Sequence, residues 1–309
     1  MFDNVTLKVY DLPQKYKVFK KSAEIVYKND ENTCKCRIKN MKIWQNYNCI
    51  TIIGSLAKYL HDENISPLSR EDIRQTIEKL EQDIGLSLKN SIVCSAEFGM
   101  SIITKEKPFK YLNLFRNTNK LTRVEYSKIT GVETIAFTSK TGSFEFIGYD
   151  KIREMKKRKK DIPRLFINSN VIRLEYKIRK KRGIEARFKG GLSAYSLFDE
   201  NVYKRFQELF FDAYKDINKM GRLVYADKSK KMSPAILKKL LAEQYRQSHF
   251  KEYLYFLQQI IEDKKLTASS LAKMLAENKK LGNNIYISEQ SPLISELDSL
   301  VYDRVRFGI

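Results

Sequence analysis

Residues 143–182 read SFEFIGYDKIREMKKRKKDIPRLFINSNVIRLEYKIRKKR. Three elements follow one another here. Residues 143–149 form a short strand, 150–160 look helical until Pro163 stops them, and 170–179 alternate again as a strand. The turn Lys140-Thr141-Gly142 joins 143–149 to a preceding strand at 132–138, a hairpin signature. Hairpin-linked short strands predict an antiparallel sheet.

Outward from this stretch the pattern repeats. Residues 2–10 (FDNVTLKVY) place Val5, Leu7 and Val9 on one face, and 22–28, 33–43 and 121–127 read as further strands. Asn48 to Ile53 is a short apolar run, followed by a short helix from Leu56 to Leu60. Ser69 to Asp72 is a capping-box start; Ile73, Ile77, Leu80 and Ile84 then form one helical stripe closed by Gly85. The strand at 91–103 sets Val93, Ser95 and Glu97 on one side and Ile92, Cys94 and Ala96 on the other. From Asp199 the period turns helical, with Val202, Phe206, Leu209, Phe210, Ala213 and Ile217 on one face.

The last third differs in kind: 234–246, 249–263 and 267–278 read as helices, with strand signal only at 284–288. Glycine, charge and serine in GRLVYADKSKKMS divide the chain near 222–232. The expected fold class is therefore α+β: an antiparallel β-sheet core flanked by helices over 1–222, then a C-terminal all-helical region over 232–309.

Length and charge narrow the function. In 309 residues, 58 Lys+Arg against 37 Asp+Glu leave a net +21, while 12% aromatics supply a core. Such an excess repels itself and favours a polyanionic partner. No run approaches the roughly 20 apolar residues of a membrane span, and the N-terminus lacks a secretory signal pattern. Cys34, Cys36, Cys49 and Cys94 make no disulfide framework and no structural zinc site, which points to a reducing cytoplasm. His61 and His249 lie far apart, so a paired-histidine metal site is excluded. Any metal must rest on oxygen ligands, which suits Mg2+ or Mn2+.

Chemistry concentrates in three segments. If 143–151 stay extended, Glu145, Tyr149 and Lys151 share a face. A phenol with a pKa near 10 attacks a phosphodiester poorly, and a lysine beside it favours phenolate or neutralises the phosphate. Glu97, Glu154 and Glu175, with Asp150 as a fourth, are the carboxylates that could converge on a metal. Glu175 sits between Arg173 and Lys177 on one strand face. Taken singly, each signal has a plainer reading: a half-buried aromatic, a cross-strand ion pair, a solvated basic helix face. Their order is what carries weight.

The stretch IIGSLAKYLHDENISPLSREDIRQTIEKLEQDIGL through SIVCSAEFGMSIITKEKPFKYL (53–111) resembles phage and plasmid replication initiation proteins of the filamentous-phage gene II/X type. FEFIGYDKIREMKKRKKDIP and NVIRLEYKIRKK are similar to that family's Tyr-Asp-Lys-x-x-Glu element and Arg-x-Glu strand. They also resemble plasmid rolling-circle initiators and conjugative relaxases. The resemblance spans roughly 1–220 and implies a nuclease core that nicks one DNA strand and keeps the 5′ phosphate on tyrosine. It would make Tyr149 the nucleophile, assisted by Lys151, and Glu97, Glu154 and Glu175 the ligands of Mg2+ or Mn2+. The family carries an aspartate where this chain has Glu97 in Ser95-Ala96-Glu97.

DNA would be held by Lys156, Lys157, Arg158, Lys159 and Lys160, and by Arg173, Lys177, Arg179, Lys180, Lys181 and Arg182, through salt-sensitive backbone contacts. Trp44, among Lys35, Arg37, Lys39 and Lys42, can stack on an unpaired base. Residues 234–278 could form a helix-turn-helix-like reader, or simply pack. The partner implied is an origin in single-stranded or supercoiled DNA in a bacterial cytoplasm, with host helicase and polymerase beyond it and a dimer as one option. The competing reading is a non-catalytic basic DNA-binding protein with a degenerate site; a third is an RNA-binding scaffold.

Overall fold

The computed structural model describes residues 2–10, 12, 24–28, 33–118, 120–128, 131–219, 222–225, 286–289 and 291–307. In chain order the first unit contains β1 (Phe2–Tyr10), β2 (Glu24–Lys28), β3 (Cys34–Ile38), β4 (Met41–Asn46), β5 (Cys49–Ser55), α1 (Leu56–His61) and α2 (Arg70–Ile84). There follow β6 (Ile92–Thr104), α3 (Pro108–Leu112), β7 (Thr122–Lys128), β8 (Gly131–Thr138), β9 (Phe144–Asp150) and α4 (Lys151–Lys157). It continues with β10 (Asn170–Ile178), α5 (Lys181–Glu185) and α6 (Glu200–Lys215). The strands form one ten-stranded sheet in the order β2-β3-β4-β5-β1-β6-β10-β9-β8-β7, every pairing antiparallel. The α+β class is as expected.

Compact packing divides the chain into residues 1–113, 117–218 and 297–309 as one unit, and 114–116 with 219–296 as another. The second unit contains an antiparallel two-stranded sheet of β11 (Arg222–Tyr225) and β12 (Tyr286–Glu289). The C-terminal region is therefore not all-helical. A helix the sequence reading did not anticipate, α7 (Pro292–Phe307), returns the chain to the first unit, where Tyr214 Oη donates to Asp298 at 2.6 Å. The helices expected at 234–246, 249–263 and 267–278, and with them the helix-turn-helix reading, lie outside the described residues.

One sheet face is apolar. Phe2, Phe98, Phe146 and Phe137 are buried there, and α6 lays Phe206 and Phe210 over them, with the Phe2 and Phe206 rings 4.7 Å apart. Each buried phenyl is worth about 2 kcal/mol in apolar area. The opposite face carries Arg173, Glu175 and Lys177 of β10 beside Tyr149, Ile147 and Glu145 of β9. This face holds the site.

Four local departures matter. Residues 33–43 are two strands, because Lys39 (φ 49°) and Asn40 make a tight turn between β3 and β4. Val93 does not share the face of Glu97: pairing steps from Leu7–Val93 to Thr6–Ser95, so Cys94 is an extra residue and Val93 and Ala96 are both buried. A second irregularity, between Phe2 and Val5, leaves both of those side chains buried and frees Asp3 for the polar face. Finally, residues 143–151 do not stay extended. Asp150 ends β9 as the N-cap of α4, its carboxylate accepting from Arg153 N at 2.9 Å, so Lys151 opens a helix and is buried.

Candidate active site

The site is built around Glu175, which is 3% exposed at the centre of β10. Gly99 lies opposite it on β6, where a Cβ would sit 2.6 Å from Leu174 O and 2.8 Å from Glu175 Cγ, so only glycine leaves room for the acid. Tyr149 Oη donates to Glu175 Oε1 at 2.8 Å, and Arg173 Nε to the same oxygen at 3.2 Å. Lys177 Nζ lies 2.9 Å from Glu175 Oε2 and 3.2 Å from Glu97 Oε1. Asn4 Nδ2 completes Glu97 at 2.6 Å.

A second chain of contacts fixes the other side. Arg173, 0% exposed, reaches Ser101 Oγ at 3.1 Å and Asp3 Oδ2 at 3.4 Å. Asp3 accepts from Ser55 Oγ, and from Asn64 Nδ2 at 2.6 Å. Asn64 Oδ1 in turn accepts from Lys151 Nζ at 2.9 Å. Lys151 also donates to Glu154 at 3.0 Å and lies 5.9 Å from the centre of the Tyr149 ring. Glu154 is paired again by Arg158 Nε at 2.7 Å. The network is continuous from Lys177 to Arg158, as a buried set of charges requires.

Electrostatics follow from this packing. Burial, then the Glu175 charge, pushes the Tyr149 hydroxyl well above its ordinary value, so it is a phenol in the free protein. Burial opposes ionisation of Glu175, but Lys177 and Arg173 outweigh it and hold the carboxyl well below the usual range. Burial also lowers Lys151, against the pull of Glu154. Tyr149, Glu175, Glu154, Lys177, Arg153 and Arg158 line one cavity of about 510 Å³. A phenol, an ionised acceptor and four cations, balanced by Glu133, Asp150 and Glu154, thus face a space large enough for a phosphodiester.

Residues 3–189 match the family described as the N-terminal part of the replication-associated gene II protein of phages. The chain belongs to this family. The matched span of this replication-associated protein runs from Asp3 past Lys177 and so contains the whole charge network. No curated protein matches the chain. Among solved structures, the rolling circle replication initiator protein from Geobacillus stearothermophilus aligns over 79% of this chain and 96% of its own, at 10% identity and a TM-score of 0.39.

The structure brings Tyr149, Lys151, Glu154 and Glu175 together, but Lys151 from a helix rather than from the strand. The three carboxylates do not gather on one point; among the described residues no three acidic, histidine or cysteine side chains form a metal cluster. Two fit the chemistry of a divalent ion, since Glu97 and Glu175 already share one cation, Lys177 Nζ. Glu154 instead turns to Lys151 and Arg158. Asp150 serves as a helix cap.

The basic residues expected to hold DNA fall into several different settings. Lys157 and Arg158 line the Tyr149 cavity, Lys156 and Lys159 are exposed, and Lys160 belongs to a second concavity. Arg173 cannot touch DNA: it is sealed, its donors spent on Glu175, Ser101 and Asp3. Lys177 sits between two carboxylates rather than as a backbone clamp. Arg179, Lys180, Lys181 and Arg182 lie about 20 Å along the sheet from Tyr149 at strand spacing. There Arg179 pairs with Glu145, Lys180 Nζ donates to Thr141 O at 2.6 Å, Lys181 pairs with Glu185, and Arg182 Nε reaches Ser143 Oγ at 3.4 Å. Trp44 is 47% exposed on the polar face, with Lys35 Nζ 5.7 Å from its ring centre.

Sequence reading missed Asp3, Asn4 and Ser101 and gave Asn64 no role. No sequence signal marked them: the need for acceptors from other strands appears only once Arg173 is seen to be buried.

Proposed function

We propose that this chain initiates rolling-circle replication by cutting one strand of a circular phage or plasmid origin, Tyr149 becoming joined to the 5′ phosphate. The observation that carries the reading is the Tyr149 hydroxyl, hydrogen-bonded to an ionised Glu175 on the wall of a cavity that Arg153, Lys157, Arg158 and Lys177 also line. Membership of a replication-associated family supports the biological setting. Attack by Tyr149 Oη on phosphorus forms the O–P bond as the bond to the 3′ oxygen breaks in line. Glu175 accepts the phenolic hydrogen bond and orients the oxygen, the phenolic proton leaves to water, and the leaving 3′ oxygen takes a proton from water. Lys151, held over the ring, offsets charge growing on the phenolic oxygen, while Arg153 and Arg158 face the phosphate. Glu97 and Glu175 are the residues that would hold Mg2+ or Mn2+, which when bound supplies positive charge to the phosphoryl oxygens. Because the phosphodiester energy is kept in the tyrosyl link, the strand can be rejoined when a round ends. The setting is a bacterial cytoplasm, with host helicase and polymerase acting after the cut; among the described residues no helix is long and apolar enough to cross a membrane.

A second reading, DNA binding without cutting, is favoured by Lys177 standing where two carboxylates meet. A supercoiled plasmid bearing the cognate origin separates the two. With Mg2+ or Mn2+ added, the parent should yield relaxed circles carrying covalently attached protein, and Tyr149→Phe should yield none. A Tyr149→Phe variant that attaches as well as the parent overturns the nucleophile; a parent that never cuts supports the second reading.

A further inference from the structure

A second concavity, of about 700 Å³, opens beside the active site on the polar side of the sheet. Its wall takes Arg37, Lys39 and Lys42 from the β3–β4 hairpin, Lys58 from α1, and Lys160 from just beyond α4. Asp62 is the single carboxylate among the described residues that line it. Lys39 is pinned: its backbone sits at φ 49°, its ammonium donates to Tyr59 O at 3.0 Å, and it lies 5.2 Å from the centre of the Tyr59 ring. Lys160 is turned towards Lys58, so that burial and then the neighbouring ammonium lower its pKa. Neither Lys58 nor Lys160 forms an ion pair with a carboxylate among the described residues. Two like charges held together cost free energy in the free protein, and an anion between them reverses the sign.

This concavity is joined to the Tyr149 cavity at two points. Asn4 lines it and donates to Glu97 at 2.6 Å, and Glu97 in turn pairs with Lys177 on the wall of the Tyr149 cavity. The turn after α4 places Arg158 on the Tyr149 cavity and Lys160 on this one. We propose that the Lys58–Lys160 concavity is a phosphate seat for the same single DNA strand, gripping backbone phosphates next to the one that Tyr149 attacks. The proposal rests on the cutting reading for its meaning, but its test does not require cutting.

The test is fluorescence anisotropy of a fluorescein-labelled single-stranded oligodeoxynucleotide, titrated with the full chain over a series of NaCl concentrations. For single strands each lost phosphate contact reduces the slope of log K against log salt by about 0.7, so Lys58→Ala/Lys160→Ala should lower it by about 1.4. Affinity at low salt should fall about tenfold or more. The titration is read without divalent ion, where no cutting is needed for binding, so a failure of the cutting reading leaves this result legible. Lys79→Ala/Lys89→Ala removes the same charge from exposed positions away from either cavity and should leave the slope unchanged. Without DNA, the Lys58→Ala/Lys160→Ala variant should melt no lower than the parent, because a repulsion is relieved. An unchanged slope in that variant, or an equal fall in the Lys79/Lys89 control, overturns the proposal. So does a seat that takes free phosphate alone, seen as inorganic phosphate raising the melting temperature of the parent only, with no effect of the variant on oligonucleotide binding.

Discussion

Tyr149 Oη and Arg173 Nε converge on the same atom, Glu175 Oε1, at 2.8 and 3.2 Å. The carboxylate therefore orients the Tyr149 hydroxyl and balances a sealed guanidinium at once. Glu175→Gln removes the charge but not the volume. Leaving Arg173 and Lys177 short of an anion should cost about 3–5 kcal/mol, measured as a lower urea midpoint. The Tyr149 pKa should fall, because the cations beside it then favour phenolate. Ultraviolet phenolate titration, with Tyr149→Phe as the blank, reads that shift, and an unmoved titration would sink the assignment.

Asn64 bridges Asp3 and Lys151 through its two amide atoms, at 2.6 and 2.9 Å. Asn64→Ala leaves a buried carboxylate and a buried ammonium each one partner short, a loss of about 1–3 kcal/mol. Lys151 then loses its tether over the Tyr149 ring. Cutting should slow by more than the fraction unfolded explains, while oligonucleotide affinity stays near the parent value. Equal losses in cutting and binding would show Asn64 to be structural alone.

Gly99 is a matter of space rather than flexibility. A methyl at Gly99 meets Leu174 O and Glu175 Cγ at under 3 Å, so Gly99→Ala must push β6 away from β10 or displace Glu175. Overpacking of this kind costs about 1–3 kcal/mol. The expected outcome is a folded protein of lower melting temperature that no longer forms the covalent adduct. An adduct formed at the parent rate would mean that Glu175 need not occupy the observed position.

The strand period made β10 readable: alternation alone places Glu175 with Arg173 and Lys177. Helix α2 was readable for the same kind of reason, since Ser69 and Asp72 form the reciprocal cap and Gly85 closes the last turn at φ 67°. Asp3 was not. Strict alternation in FDNVTLKVY puts it beside Val5 on the apolar face, and only an irregular register between Phe2 and Val5, with no glycine to mark it, turns it to Arg173. Lys151 failed differently. Two residues along a strand is one geometry, but Asp150 had already begun a helix, and capping outweighed the strand pattern. Contacts such as Asp3–Arg173 join residues 170 positions apart, and neither periodicity nor local spacing reports them.

The paired thiols of β3 give a prediction far from the site. Cys34 and Cys36 are both buried on the apolar face, and burial followed by the neighbouring Cys34 pushes the Cys36 thiol up to about 12. In the unfolded chain a thiol ionises near 8.5. Between those values the folded state holds a proton that the unfolded state has released, so stability is whole below about pH 8.5 and declines as pH rises towards 12. Urea midpoints measured across this range should fall in the parent and fall less steeply in Cys36→Val. Because Cys94 and Tyr59 are also raised by burial, the variant should keep part of the slope rather than lose it all. Native Cys36 should also resist iodoacetamide at pH 8, since a protonated, buried thiol is not a nucleophile. Rapid alkylation of Cys36 in the folded chain, or identical slopes for parent and variant, would show that the thiol is not held as the packing of β3 requires.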